Sequence, residues 1–223
     1  MSHGIKLLIF DLDGTLVDAY PAIVDSFNFT MRKMKLPLAK EMTIHRAVGW
    51  GDTNLLKPFV PARCVKKALT IYRRHHTKSL RWKTRFLPGA KNLLESLRKM
   101  GYRLGVASNR PTKFSHIILE HLRAKGYFDY ILCADKIERA KPYPDILFRI
   151  LKKLSVKPTE AIYVGDMTVD ILAGKRAKVK TVAVVSGSST RKELRALKPY
   201  RMIQNIAQLP RILKEVNGKV TLE

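Results

Sequence analysis

From Leu87-Pro88-Gly89 onward, short apolar runs alternate with helical patterns, and this alternation narrows the possible folds more than any other feature of the chain. Strand-like runs stand at Arg103–Ala107, Tyr130–Cys133, Ala161–Val164 and Thr181–Val185. Helical spacing of apolar residues marks Ala90–Met100, Thr112–Lys125, Pro144–Leu154, Thr168–Ala177 and a last segment near Ile206–Val216. Alternation of this length predicts an α/β fold, a Rossmann-like parallel sheet with helices on both faces.

A further strand lies at the N-terminal end. Ile5–Phe10 is an unbroken apolar run, the pattern of a strand buried on both faces. Asp11-Leu12-Asp13-Gly14 ends it, and ionised groups there are costly unless a cation or hydrogen-bond donors meet them. Alternate residues of an extended chain share a side, so both carboxyls reach one small volume, and a divalent metal is the economical explanation.

Between these two parts the pattern is helical. Asp18–Leu36 reads as a helix with Asp18 as N-cap, and Ala22, Ile23, Phe27, Thr30, Met31 and Met34 form its apolar side before Pro37 ends it. Glu41–Val48 and Thr53–Phe59 follow, divided by Gly49-Trp50-Gly51, and then a longer helix from Ala62 to Trp82. No strand is expected here. The expected organisation is an α/β core of residues 1–17 and 86–223 with an all-helical insertion, residues 18–85. Phe27, Met31 and Met34 read as the core of that insertion.

In an open α/β sheet, ligands collect beyond the carboxyl ends of the strands. Four polar clusters fall there: Asp11-Leu12-Asp13, Ser108-Asn109-Arg110, Lys141-Pro142, and Gly165-Asp166 with Asp170. Each has a plain structural explanation as a turn, a helix cap or a solvated lysine. Four such coincidences on one rim are far less economical than one site.

Asp11-Leu12-Asp13-Gly14-Thr15, Ser108-Asn109, Lys141-Pro142 and Gly165-Asp166-Met167-Thr168-Val169-Asp170, in that order, resemble the motifs of haloacid dehalogenase superfamily phosphatases, and the resemblance covers nearly the whole chain. It implies that Asp11 is the nucleophile, forming an aspartyl-phosphate, and that Asp13 is the acid and base. It also implies a magnesium ion held by Asp11, the backbone carbonyl of Asp13 and Asp166, with Asp170 one helical turn on to orient a ligand water or hold Lys141. Lys141 would neutralise Asp11 and the transferring phosphoryl group, and Ser108 and the Asn109 N–H would bind phosphate. An aspartate at position 13 argues against the dehalogenase branch, whose members lack that acid.

Substrate choice is expected to reside in the insertion. Ile44–Gly51 resembles the glycine-containing specificity loop of phosphoglycolate-phosphatase-like members, which points to Gly49, Trp50 and Gly51; a plain turn with Trp50 packed inward explains it equally well. The lysine or arginine patterns wanted for phosphonate hydrolysis or sugar-phosphate isomerisation are not seen.

Charge bears on partners. The net charge is +25 over 223 residues, a field that attracts anions. Ala62–Arg85 holds nine Lys or Arg and no acid, and on a helical projection Arg63, Lys67, Arg74, Lys78 and Arg81 form one stripe opposite Val65, Leu69, Tyr72 and Leu80. A second basic stretch runs from Lys175 to Arg201 with Glu193 its only acid. Solvated basic faces need no partner, and a nucleic-acid partner is the sharper but less favoured explanation. Cys64 and Cys133 lack metal-ligand spacing and read as buried free thiols in a reducing compartment. His75-His76, side by side on a helix, read as packing or surface residues. Met1-Ser2-His3-Gly4 carries no leader-like pattern and no run reaches membrane length, so a cytoplasmic chain without membrane contact is expected. The leading expectation is a magnesium-dependent hydrolase of a small phosphate monoester, with a nucleotidase or pyrophosphatase as the enzyme alternative and a nucleic-acid-binding protein on a phosphatase scaffold as the alternative of another class.

Overall fold

The structure, a computed structural model, describes residues 4–218. In chain order, β1 (Leu7–Phe10) leads through β2 (Val17–Asp18) into α1 (Tyr20–Lys33), α2 (Glu41–Ala47), α3 (Asp52–Leu56) and α4 (Val65–Lys83). The chain returns through β3 (Arg85–Phe86) to α5 (Ala90–Lys99), β4 (Arg103–Ser108), α6 (Thr112–His121), β5 (Tyr130–Cys133) and α7 (Asp145–Lys153). It ends with β6 (Ala161–Gly165), α8 (Thr168–Arg176), β7 (Lys180–Val184), α9 (Arg191–Ala196), β8 (Arg201–Ile203) and α10 (Leu209–Gly218).

Six strands form one parallel sheet in the order β5-β4-β1-β6-β7-β8. All four β1 residues are fully buried, and they alternate between two cores: Leu8 and Phe10 join the cluster that includes Leu93, Leu94 and Leu97 of α5, while Leu7 and Ile9 join Ile146, Leu147, Ile150 and Leu151 of α7. Each such side chain contributes about 1.5–3 kcal/mol by leaving water. The i, i+3, i+4, i+7 spacing of the apolar residues in α5 puts them on one stripe, so one face of that helix seals the sheet. β1 is central, which carries the carboxylates at its end to the middle of the rim.

The helical insertion has its own core, in which Phe27 and Met31 are buried beside Ile44, Leu56 and Tyr72, with Met34 packed against them. Four expectations are corrected. Asp18 does not cap α1 from the adjacent position: it lies in β2, which pairs antiparallel with β3 through Val17–Phe86 and Asp18–Arg85, although its Oδ1 still accepts from the Tyr20 N–H at 3.2 Å. This two-stranded ribbon brings entry and exit of the insertion together, 67 residues apart. The sheet also has a sixth strand, β8, which starts at the last residue of the basic stretch Lys175–Arg201, and a short helix α9 before it inside that stretch; neither is among the expected elements. α6 ends at His121, where Leu122 caps it, rather than running to Lys125. Cys133 is buried, but Cys64 is only partly so. No helix among the described residues is long and apolar enough to cross a membrane, and Met1–His3 lie outside the described residues.

Candidate active site

The C-terminal ends of β1, β4 and β6 converge on one cavity, partly open to solvent, whose lining includes Asp11, Asp13, Ser108, Asn109, Lys141 and Met167. Helices α1, α3 and α4 close its outer side with Ile23, Leu55, Tyr72 and His76. Its mix of apolar wall and a few convergent polar groups is that of a small-ligand site.

Lys141 organises the floor. Its ammonium donates to Asp11 Oδ1 at 2.9 Å, Asp170 Oδ1 at 2.7 Å, the Ala107 carbonyl at 3.0 Å and the Tyr163 hydroxyl at 3.0 Å, and it is almost wholly buried. Burial opposes its charge, but Asp11 and Asp170 outweigh burial and hold it above the ordinary lysine value. Tyr163 donates in turn to Asp170 Oδ1 at 2.6 Å, and burial beside that carboxylate keeps its phenol protonated. Asp170 thus holds Lys141, one of the two tasks expected of it, and its Oδ2 accepts from the Met167 N–H at the start of α8.

Asp166 completes the acidic floor. Its Oδ1 accepts from the Thr15 hydroxyl at 2.8 Å and its Oδ2 from the Ser188 N–H at 3.3 Å. Ligand atoms of Asp11, Asp166 and Asp170 lie within 4.8 Å of one another, all buried. Three carboxylates face one ammonium, and the imbalance shows in the proton affinities of Asp11 and Asp166. Burial pushes the Asp11 carboxyl up to about 7, with Lys141 pulling it back and Asp170 adding to the rise; Asp166 is pushed well above the carboxylate range by burial and by Asp11. Nearby, the Tyr20 hydroxyl and Ser188 Oγ are buried without a hydrogen-bond partner among the described residues. Hard oxygen donors, excess negative charge and orphaned polar atoms fit a hard divalent cation. Gly14, at φ 75°, passes so close that a Cβ would sit 2.6 Å from Asp166 Oδ2.

The two phosphate-binding candidates stand together at the end of β4, on the cavity. Ser108 Oγ accepts from the Arg110 N–H at 3.2 Å, which leaves its proton free to donate into the cavity. The Asn109 side chain is a clamp: Nδ2 donates to the Gly49 carbonyl at 2.9 Å and the Lys141 carbonyl at 3.0 Å, and Oδ1 accepts from the Lys141 N–H at 3.0 Å. Gly49 and Gly51 line the cavity; Trp50 does not, and is 48% exposed rather than packed inward. Gly49 is at φ 105°, and a Cβ there would collide with Met167 Sδ.

Two groups have roles that the sequence does not show: Arg110, which it places on the rim without a task, and a loop that it does not place there at all. Arg110 follows Ser108-Asn109 directly, and its Nε and Nη2 each bond the Asp13 carboxylate at 2.8 Å. Its Nη1 bonds Nε2 of the fully buried His76 at 2.7 Å, so this histidine is both packing and part of the cavity wall. Position alone, next to two assigned rim residues, was the available signal. The other group is the loop after β7, where Ser186 donates to the Gly14 carbonyl, Ser188 to Asp166, and Ser189 accepts from the Thr168 N–H. The basic stripe Arg63, Lys67, Arg74, Lys78 and Arg81 is exposed, and none of it lines the cavity.

Residues 8–184 match the family model described as haloacid dehalogenase-like hydrolase. The chain belongs to that family. Among related haloacid dehalogenase-like proteins, it is 31% identical over 182 residues to a phosphoglycolate phosphatase of Aquifex aeolicus, covering 82% of this chain and 85% of that one. It is 29% identical over 219 residues to the pyrophosphatase PpaX of Bacillus mycoides, covering 96% and 99%. The structure of a predicted phosphoglycolate phosphatase from Haemophilus somnus superposes with a TM-score of 0.88 at 27% identity, covering 93% of this chain and 97% of that one. As a haloacid dehalogenase-like hydrolase, the chain combines a parallel α/β core with an inserted helical cap.

Proposed function

We propose that this phosphohydrolase is a magnesium-dependent phosphatase that cleaves a small phosphate monoester, phosphoglycolate or a close analogue, through a phosphorylated Asp11. The observation that carries the reading is the Lys141 ammonium bridging Asp11 and Asp170 at the buried floor of that cavity. The named phosphatase relatives support it.

Asp11 Oδ1 is tied to Lys141, and Oδ2 carries no hydrogen bond among the described residues, so Oδ2 is the oxygen available to attack phosphorus. The ester P–O bond breaks as the Asp11–P bond forms, and Asp13 gives its proton to the leaving oxygen. Water then attacks the phosphorus, Asp13 takes its proton, and the Asp11–P bond breaks. Lys141, the Ser108 hydroxyl and the Asn109 N–H stabilise charge on the phosphoryl oxygens. Asp11, the Asp13 backbone carbonyl and Asp166 would hold the magnesium ion, which when bound neutralises these carboxylates and the phosphoryl group. Residues 18–85 act as the cap over a core of residues 1–17 and 86–223, with hinges near residues 14–18 and 84–88, where β2 and β3 pair.

A second reading, pyrophosphate as substrate, is favoured by the relationship to PpaX. Phosphoglycolate, pyrophosphate, nucleotides and phosphorylated oligonucleotides are assayed with and without magnesium, with Asp11→Asn as the blank. Magnesium-dependent turnover of a small ester, absent in Asp11→Asn, is expected. Full turnover by that variant would overturn the mechanism, and turnover confined to pyrophosphate would select the second reading.

A further inference from the structure

Resting on the phosphatase reading above, we infer that Arg110 is a specificity residue that binds a second anionic group on the leaving-group side of the substrate, and that this exchange releases Asp13 for proton transfer. The geometry begins with Asp13. Both of its carboxylate oxygens are held by one guanidinium, a bidentate clamp that is nearly buried on both sides. An acid clamped in this way cannot also reach a leaving oxygen, so turnover requires the pair to open.

Arg110 is the member that stays in place. Arginine can only donate, so His76 Nε2 must accept, and His76 is neutral with its proton on Nδ1. Burial and the neighbouring guanidinium hold that imidazole well below its ordinary value, in agreement. Nδ1 then donates to Ser26 Oγ at 3.0 Å, and Ser26 donates to the Ala22 carbonyl at 2.7 Å. The guanidinium is therefore anchored through α4 to α1. Asp13 has no side-chain partner besides Arg110 among the described residues and sits in the turn between β1 and β2, so it is the part that moves.

Charge in the cavity assigns the ligand class. Of the lining residues, Lys141 and Arg110 alone carry a full positive charge, and Lys141 is engaged on the floor with Asp11 and Asp170. Arg110 is the remaining cation, and it follows the phosphate-binding Ser108-Asn109 pair directly in the chain. A carboxylate or phosphate on the leaving group can replace the Asp13 carboxylate on the same planar fork. A neutral alcohol cannot, and it would leave Asp13 clamped. The substrate class is thus a short phosphate compound bearing a second anion.

The test compares phosphoglycolate, pyrophosphate and 2-hydroxyethyl phosphate, the neutral counterpart of phosphoglycolate, at saturating magnesium. The native enzyme is expected to favour at least one of the two anion-bearing compounds over the neutral ester by about 100-fold or more in kcat/KM. The preferred arm identifies carboxylate or phosphate as the second anion. Arg110→Gln is expected to bring that ratio to within about tenfold of unity, and Arg110→Lys, a point charge without the fork, to an intermediate value. Equal turnover of charged and neutral esters by the native enzyme would overturn the inference while leaving the phosphatase reading intact, and it needs no variant to fold. A fall by one common factor on all substrates in Arg110→Gln would also overturn it. Absence of Asp11-dependent turnover on every compound would instead contradict the phosphatase reading.

Discussion

Replacing Lys141 with methionine keeps the length of the side chain and removes the only cation among the described residues that touches the acidic floor. Lys141 meets Asp11 and Asp170 directly, and Asp166 lies in the same cluster. Breaking a buried ion pair from one side costs about 3–5 kcal/mol, and at about 2–4 °C per kcal/mol for a chain of this size the melting temperature falls by about 6–20 °C. The loss has a defined pH dependence. Asp11 is already pushed up to about 7 with the lysine present, and without it the carboxyl rises further. A carboxyl raised above its unfolded value binds more protons in the native state, so its contribution is intact below about 4 and declines as pH rises toward the folded value. Above about 7 the variant keeps a proton that the native protein has released, so the penalty grows there by up to about 1.4 kcal/mol per pH unit. Thermal unfolding of both proteins in metal-free buffer from pH 5.5 to 8.5 reads this out. A penalty independent of pH, or a variant as stable as the native protein at pH 8, would refute the charge argument.

Tyr163→Phe is expected to be milder. Four acceptors compete for the three protons of Lys141, so removing the hydroxyl leaves the ammonium satisfied; a loss of about 1.5–3 kcal/mol is expected from the bond to Asp170, and kcat falls far less than in Lys141→Met, as steady-state kinetics and melting will show. Glu193→Gln removes the pair between Arg46 of α2 and α9, where the Arg46 and Thr190 donors hold Glu193 down to about 2. A depressed carboxyl contributes stability above its unfolded value, near 4.5, that is lost as pH falls toward about 2; the melting-temperature difference between native and variant, measured from pH 6 downward, is expected to vanish across that window. Gly49→Ala forces a Cβ toward Met167 at φ 105°, and the strain of about 1–3 kcal/mol falls on the loop facing the cavity, so KM is expected to rise more than kcat falls.

Legibility in the sequence followed locality. β1 could be read because four consecutive fully buried residues have to be apolar, and the carboxylates at its end because no core accepts them. The floor residues Lys141, Asp166 and Asp170 could be placed for the same reason, each standing at the end of a readable strand or the start of a readable helix. β8 could not, since Arg201-Met202-Ile203 is a three-residue edge strand with only Ile203 buried, set in a basic stretch. Asp18 was misassigned because its strand exists only through pairing with Arg85, a contact that no local pattern encodes. The pairing of Arg110 with His76 is hidden for a related reason: the sequence places the arginine on the rim and reads the histidine as a packing or surface residue, and they meet only when α4 packs on α6, across 34 residues. Ser186–Ser189 had the composition of an ordinary loop, and its contacts to Gly14 and Asp166 depend on the sheet order that puts β7 beside β6.

The central claim is that phosphate passes through Asp11. Rapid quenching of the enzyme with phosphoglycolate and magnesium, followed by hydroxylamine and peptide mass mapping, tests it most directly, because hydroxylamine converts an acyl phosphate to a hydroxamate at the modified residue. The hydroxamate is expected on the peptide carrying Asp11 and absent without substrate; turnover with no hydroxamate there, or modification of another residue, would contradict the account.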